Sequence, residues 1–237
     1  MKDERSLTVK DSKMFDMLTR HSRNRYRIIV LSLIFVTSIY VFLNKRNWAW
    51  YNRSSGESIC ETPEPEMKDL IALATDTRDV LHGLKMTYFL IYGSLWGALR
   101  HNRPLAWDND FDIGLVYEEL KDKGLEQKLY KELQKKNIKI YYRLWFGTYR
   151  VTRDTARGDL MIYRRNYFDT CVRLGMESWV FFVNYRKYHQ FPCRLIKKPL
   201  PSMKFSKVNF TVPREGNEIQ KHFYPEDWWV ESKPSGC

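Results

Sequence analysis

The chain has 237 residues, 43% apolar and 15% aromatic, with a formal net charge of +12; that is room for one ordinary domain plus appendages, in a globular composition. Residues 1–46 carry ten Lys/Arg against four Asp/Glu, or +6, so the other 191 residues hold the remaining +6. Basicity spread this thinly suits an acidic or phosphate-bearing partner and excludes nucleic acid, whose binders gather Lys and Arg into a patch.

The first predicted element is IIVLSLIFVTSIYVFL, Ile28–Leu43, sixteen residues without a charge. A bilayer span needs about 20 residues, and Tyr26 and Asn44 extend this one. A core helix would show a polar face, and a cleaved signal peptide would have a short leader and a small-residue cleavage site; neither is present. The pattern predicts a single uncleaved signal anchor over 28–44, with a basic cytosolic tail at 1–27 and a stalk at 45–65. Lys13, Arg20, Arg23, Arg25 and Arg27 precede the span against Lys45, Arg46 and Arg53 after it, which puts the C-terminal domain, 66–237, in the lumen. Trp48, Trp50 and Tyr51 suit the membrane interface. Asn52 and Asn209 begin glycosylation sequons. Cys60, Cys171, Cys193 and Cys237 all lie beyond the span, where disulfides persist; three pairings are open, and the absence of Cys-x-x-Cys spacing disfavours zinc.

Within the luminal part, an apolar stripe from Met67 through Leu70, Ile71, Ala74, Leu81 and Leu84 predicts a helix. TYFLIY (87–92) reads as a buried strand that Gly93-Ser94 ends, and SLWGALRH opens a short helix. Asp110–Val116 alternates as a strand, and Glu118–Lys136 reads as one amphipathic helix. IKIYYR, TYRVTR and DLMIYRR follow as β-rich pieces, then FFVNYRKY and KVNFTVP, then a helix near Glu215–Phe223. Helices and strands mix without strict alternation, which predicts an α/β (α+β) domain with a central mixed sheet and flanking helices.

The chemistry concentrates in YGSLWGALRHNRPLAWDNDFDIG, Tyr92–Gly114. On a strand, Asp110 and Asp112 face one way while Phe111 and Ile113 face a core. Two carboxylates about 7 Å apart repel unless a cation joins them, and Mg²⁺ or Mn²⁺ with substrate phosphates meets that need. A strand that ends in Gly93-Ser94 and opens a helix offers backbone N–H groups and a hydroxyl to phosphate. Strand, Gly-Ser, helix and Asp-x-Asp strand together form a nucleotidyltransferase-like arrangement, whose third carboxylate is expected from a later strand. Asp159 in RGDLMIY is the best candidate, with Asp154 and Asp169 as rivals. A calcium loop starting at Asp108 would have Glu119 at its twelfth position but Ile113 where a sharp turn requires glycine. An Asp-x-Asp motif in a signal-anchored luminal domain also suits a glycosyltransferase that uses a sugar nucleotide.

The same residues resemble the LicD/fukutin family, in which Gly-Ser/Thr-Leu-Leu-Gly-Ala-x-Arg-His leads to Pro-Trp-Asp-x-Asp-x-Asp-Leu/Ile-Gly. Ala106 replaces the usual proline, and Asn109 an aspartate frequent in bacterial members. Gly158-Asp159-Leu160 resembles a later family segment, and Phe191-Pro192, Val212-Pro213 and Tyr224-Pro225 to Trp228 resemble its closing pattern. The resemblance implies transfer of an alcohol phosphate, such as ribitol phosphate or phosphocholine, from a CDP-alcohol donor to a hydroxyl of a glycan or glycoprotein acceptor. CMP would be released, with Mg²⁺ or Mn²⁺ as cofactor, at a Golgi or ER membrane in single-pass type II orientation. It implies metal binding by Asp110, Asp112 and Asp159, with Asp108 as a further ligand and Asp159 also as the base. Gly93, Ser94, Arg100 and His101 would hold the donor phosphate. A catalytically silent partner of another transferase is the reading from outside enzymology.

Overall fold

The computed structural model describes residues 21–42, 60–121, 124–234 and 237. The expectations for the tail before residue 21, the aromatic belt, the Asn52 sequon and the stalk up to residue 59 lie outside them. The chain forms two compact units, Met1–Tyr51 and Asn52–Cys237. In the first, α1 spans His21–Phe42, 22 residues of mean hydropathy 1.7, long and apolar enough to cross a membrane. Helix is present from His21, the first described residue of this unit, seven residues ahead of the expected span.

The second unit opens with α2, Glu64–Gly83, whose first turn carries Glu64 and Glu66, matching the positive end of the helix dipole. Leu70, Leu73, Ala74, Thr77, Val80 and Leu81 are its buried stripe, at spacings of three and four. Each fully buried leucine contributes about 2 kcal/mol. The stripe lies across the central sheet, above all on β5 (Ala156–Arg165).

That sheet runs β1 (Tyr88–Leu90), β2 (Phe111–Val116), β5, β4 (Thr148–Arg153), β3 (Lys139–Arg143). Beyond the end of β4, on the same edge of β5, β5 pairs with β6 (Thr170–Arg173), which pairs with β7 (Gln190–Pro192). Among the described residues only β2 and β5 run parallel, so the sheet is mixed. Their register sets Asp112 beside Asp159, and the next pairings set Asp159 beside Arg150 and Arg150 beside Tyr141. Four consecutive strands thus present Asp112, Asp159, Arg150 and Tyr141 in one row on one face. Phe111, Ile113, Leu160 and Val151 are buried in the core behind them.

Between β1 and β2, α3 (Tyr92–His101) ends at Asn102, which takes the left-handed conformation (φ 54°) that asparagine tolerates. The Gly93-Ser94 pair lies inside its first turn rather than ahead of it. Gly97 is required by contact: a Cβ there would stand 2.4 Å from the Arg103 carbonyl oxygen.

Three local expectations need correction. The stretch 118–136 forms two helices, α4 (Tyr117–Lys121) and α5 (Glu126–Lys135). Gly124, at φ +61°, turns the chain between them, its N–H bonded to the Lys121 carbonyl. FFVNYRKY (181–188) is no strand: it follows α6 (Glu177–Val180) directly and is occupied by α7 (Phe182–Tyr188), with i→i−4 bonds from Tyr185 to Phe181 and His189 to Tyr185. Tertiary packing overrides the β preference of its aromatic residues. The last helix, α8, covers Glu218–Phe223 only, since Glu215 and Gly216 both have positive φ. The hairpin β8 (Ser202–Phe205) and β9 (Val208–Thr211) carries Asn209 exposed on its outer side. The disulfides pair Cys60 with Cys237 and Cys171 with Cys193.

Candidate active site

A cleft of about 300 Å³ opens where α3, the start of β2 and the C-terminal segment meet. Gly93, Asp108, Asp110 and Asp112 line it, with Trp96 and Trp107 as apolar walls. Gly93 is glycine for a local reason: a Cβ would sit 3.0 Å from Asp108 Oδ2. The Gly-Ser turn and the first aspartate are therefore one packed unit, although fifteen residues separate them.

Ser94 does not itself line the cleft. It is buried, and its hydroxyl accepts the N–H of Asp112 at 2.9 Å, pinning the aspartate-bearing strand to α3. Ahead of it, Tyr92 holds φ +49°, a costly conformation for a bulky side chain. The surroundings enforce it. The Tyr92 hydroxyl meets the Tyr163 hydroxyl at 2.9 Å and His189 Nδ1 at 3.1 Å, and Gln220 Nε2 donates to the Tyr92 carbonyl at 2.9 Å. Burial, reinforced by the Arg173 charge, keeps His189 neutral, with its pKa well below the ordinary value.

The carboxylates repel one another. Burial first and the Asp110 charge second push the Asp108 carboxyl up to about 7. Burial and the charges of Asp110, Asp159 and Asp108 raise Asp112 well above the usual carboxylate range. Asp110 is raised by burial and by Asp159, against the lowering effect of Arg157, Arg150 and Arg143. No hydrogen bond or ion pair among the described residues reaches the side-chain oxygens of Asp108, Asp110 or Asp112.

Asp159 is arranged otherwise. It is 5% exposed, and Arg150 grips it in a fork, Nε to Oδ1 at 2.7 Å and Nη2 to Oδ2 at 2.6 Å. Arg143 Nη2 adds a third bond to Oδ2 at 2.7 Å. Of its rivals, Asp154 occupies the turn between β4 and β5, and Asp169 pairs with Arg165 beyond the far end of β5. Neither is in the row with Asp112.

Arg100 lines the same cleft and His101 does not; both are taken up by the C-terminal segment. Arg100 stacks on Trp96 with 3.8 Å to the ring centroid and donates to the carbonyls of Trp228 and Val230. His101 Nε2 lies 3.2 Å from the Glu231 carboxylate. The Cys60–Cys237 disulfide fastens that segment at its end.

No group of three or more His, Cys, Asp or Glu side chains among the described residues forms a ready-made metal cage. The donor chemistry at Asp110 and Asp112 nevertheless fits a hard divalent cation: two half-buried carboxylates with no partner among the described residues, in a water-accessible cleft, leave positions for phosphate and water. Asp159 differs from them in that its oxygens already accept three guanidinium hydrogens, one at Oδ1 and two at Oδ2.

Sequence reasoning missed Arg143, Arg150, Arg157 and the C-terminal wall. Arg150 alternates within TYRVTR on the face opposite the core residue Val151, a pattern that marks it as outward-facing. Its pairing with Asp159 depends on strand register, which the alternation alone does not give.

Comparison with known proteins bears on this arrangement. The family model for the LicD/FKTN/FKRP nucleotidyltransferase domain matches residues 85–215. An uncharacterized protein of Rickettsia typhi is 27% identical over 104 residues, 43% of this chain and 34% of that protein. The chain therefore spans about a third of the length of this curated relative. Among solved structures, terminal uridylyl transferase 4 from Trypanosoma brucei with bound GTP is similar over 42% of this chain and 31% of its own, at TM-score 0.31 and 16% identity. The lincosamide antibiotic adenylyltransferase LnuA with lincomycin bound is similar over 68% and 87%, at TM-score 0.39 and 14% identity.

Proposed function

The chain belongs to the LicD/FKTN/FKRP nucleotidyltransferase family, and from that premise we propose that it is a phosphotransferase acting on a glycan. The donor is a CDP-alcohol, the acceptor is a glycan hydroxyl, and the product nucleotide is CMP. The observation that carries this reading is the set of carboxylates without a partner among the described residues, Asp108, Asp110 and Asp112, packed against the Gly93 turn in one cleft. Such a set costs folding free energy and is retained where a charged ligand completes it.

In the reaction, the acceptor hydroxyl oxygen forms the new bond to the phosphorus that bears the alcohol. The bond from that phosphorus to the bridging oxygen breaks, CMP takes the electron pair, and the hydroxyl proton passes to a site carboxylate or water. Asp110 and Asp112, with Asp108 beside them, would hold Mg²⁺ or Mn²⁺, which supplies charge neutralisation on the diphosphate. The first-turn N–H groups of α3 at Gly93 would take phosphate oxygens. Trp96 and Trp107 give the cleft apolar walls. Tyr141 and Trp145, 49% and 43% exposed along the β3 side, offer ring faces to sugars. The apolar helix α1 would anchor the enzyme in a Golgi or ER membrane with the second unit luminal. Pairing of all four cysteines suits that oxidising side.

The test is thermal unfolding of the detergent-solubilised full chain against CDP-ribitol, CDP-choline, CDP-glycerol, UDP- and GDP-sugars and CMP, each with and without Mg²⁺ or Mn²⁺. A ligand at 100 times its Kd stabilises by roughly 2.7 kcal/mol. A metal-dependent shift with one CDP-alcohol, absent in the Asp110→Asn/Asp112→Asn double variant, is expected. A shift with sugar nucleotides alone makes the protein a glycosyltransferase. No shift with any of them makes it a non-catalytic partner.

A further inference from the structure

We infer that Arg143 and Arg150 form a seat for the donor's diphosphate oxygens, and that Asp159 is the positioning residue that holds both guanidinium groups there. The inference rests on the phosphotransferase reading and names the residues that meet the anion. It gives Asp159 the task of fixing both guanidinium groups.

Charge supplies the first reason. One carboxylate holds two guanidinium groups, so the Asp159 cluster keeps a surplus positive charge. Arg157, anchored by its Nη2 to Asn109 Oδ1 at 2.9 Å, adds another at the Asp110 end. These cations lie beside Asp110, whose carboxyl feels all three arginines. Acidic and basic halves thus adjoin on one sheet face, as a cation and a diphosphate bound together require.

Geometry supplies the second. Arg150 is fixed by its two-point grip on Asp159. Arg143 is fixed by Asp159, by the Thr148 hydroxyl, which accepts from Nε at 3.3 Å and Nη2 at 3.2 Å, and by stacking over Phe146 at 4.6 Å. Those contacts use Nε and Nη2 of each arginine. The Nη1 group of each makes no hydrogen bond among the described residues and is not sealed from solvent. Two immobilised, outward N–H₂ groups are suited to phosphoryl oxygens, which demand planar, directional donors. In phosphoryl transfer, negative charge spreads over the equatorial oxygens and fixed cations stabilise it without reorganising.

Chain register supplies the third. Arg150 springs from the second strand and Arg143 from the third strand away from Asp112, and both guanidinium groups reach back to Asp159 on the strand next to it. An anion spanning that interval touches both halves at once.

The experiment measures CDP binding to the full chain in detergent micelles with Mg²⁺ by titration calorimetry, with inorganic pyrophosphate as a second probe. Arg150→Lys and Arg143→Lys are each expected to weaken CDP about tenfold, because lysine keeps the charge but loses the fork. Asp159→Asn is expected to weaken it similarly and Asp159→Glu to restore most of it. Arg153→Lys, whose partner Asp76 is away from the cleft, serves as the unchanged control. Unaltered affinity in both arginine variants, with wild-type binding intact, overturns the seat, as does wild-type protein that binds neither probe. Pyrophosphate that still binds with CDP saturating also overturns it, since the site then serves an acceptor's anion. Tight CDP binding lost in the arginine variants, without turnover of any CDP-alcohol, leaves the seat standing and removes the transfer reading instead.

Discussion

Replacing Asp159 by asparagine and Asp112 by asparagine should move stability in different directions, although both are carboxylates of the same row. Asp159 accepts three charge-assisted hydrogen bonds between 2.6 and 2.7 Å from Arg143 and Arg150. Removing one partner of a buried ion pair costs about 3–5 kcal/mol. Arg143 and Arg150 side chains keep 24% and 19% of their exposure, so water recovers part of that. The remaining amide oxygen accepts one bond, and loss of the Asp159 charge relieves Asp110 and Asp112. A net loss of about 2 kcal/mol remains, or about 4–8 °C in Tm for a unit of this size. Asp112 has no side-chain partner to lose, and its carboxylate is destabilised by burial and three neighbours. Asp112→Asn should leave Tm unchanged or raise it, since its backbone bond to Ser94 survives. The assay is circular-dichroism melting in EDTA at pH 8. Equal losses in both variants, or none at Asp159, would refute the division into a partnered and an unpartnered carboxylate.

Other consequences are equally open to measurement. Asp108 binds its proton more tightly in the folded chain (pKa about 7) than in the unfolded one (3.8), so its contribution favours folding at low pH and is lost as pH rises from about 4 through 7. In EDTA, Asp108→Asn should therefore gain on wild type across that window, by up to about 4 kcal/mol from the shift and nearer 2 after screening in an open cleft; parallel Tm–pH profiles would contradict this. Gly158→Ala puts a Cβ 2.3 Å from the Phe111 ring, an overpacking of about 1–3 kcal/mol. Because Phe111 lies between Asp110 and Asp112, turnover should fall further than the melt implies; activity that follows Tm alone would deny the coupling. Opening the Cys60–Cys237 bridge, 177 residues apart, with Cys60→Ser/Cys237→Ser removes a constraint worth at most about 5 kcal/mol. Hydrogen exchange should rise first at residues 228–232, next to Arg100 and His101, and exchange rising evenly over the whole unit would show that the segment is no separate wall.

Much of this was legible in the residues because it is local. The alternation Asp110-Phe111-Asp112-Ile113 needs only the period of a strand to place carboxylates on one face and a core on the other, and the structure buries Phe111 and Ile113. The membership implied by Tyr92–Gly114 is carried by residues that hold one another in place: Gly93 against Asp108, and Ser94 on the Asp112 amide. What sequence could not supply is pairing across distance. Nothing in TYRVTR tells which carboxylate Arg150 meets, and nothing in Glu231 tells that it caps His101, 130 residues earlier. The aromatic stretch at 181–188 misled for a related reason. Its residues prefer strands, yet packing of Asn184 and Tyr185 into the interior settles the backbone as helix.

The two halves of the sheet face also imply an order of events. When ionised, Asp108, Asp110 and Asp112 bring three negative charges, while Arg143, Arg150 and Arg157 less Asp159 bring two positive ones. A divalent cation alone relieves the first half and leaves the second more positive; a diphosphate alone meets the arginines but is repelled by the carboxylates. Each ligand thus removes the electrostatic penalty of the other, and linkage requires the benefit to be equal in both directions. A coupling of about 1–3 kcal/mol is the usual size for such a pair of sites, a factor of roughly 5–150 in affinity. Titrating Mn²⁺ with and without saturating CDP, and CDP with and without Mn²⁺, should return the same factor twice. Arg150→Lys should shrink it, because the anion would then lose its hold on the basic half. Affinities for metal that ignore CDP would mean that the carboxylates and the arginines serve separate ligands, and the single-cleft mechanism would fail with them.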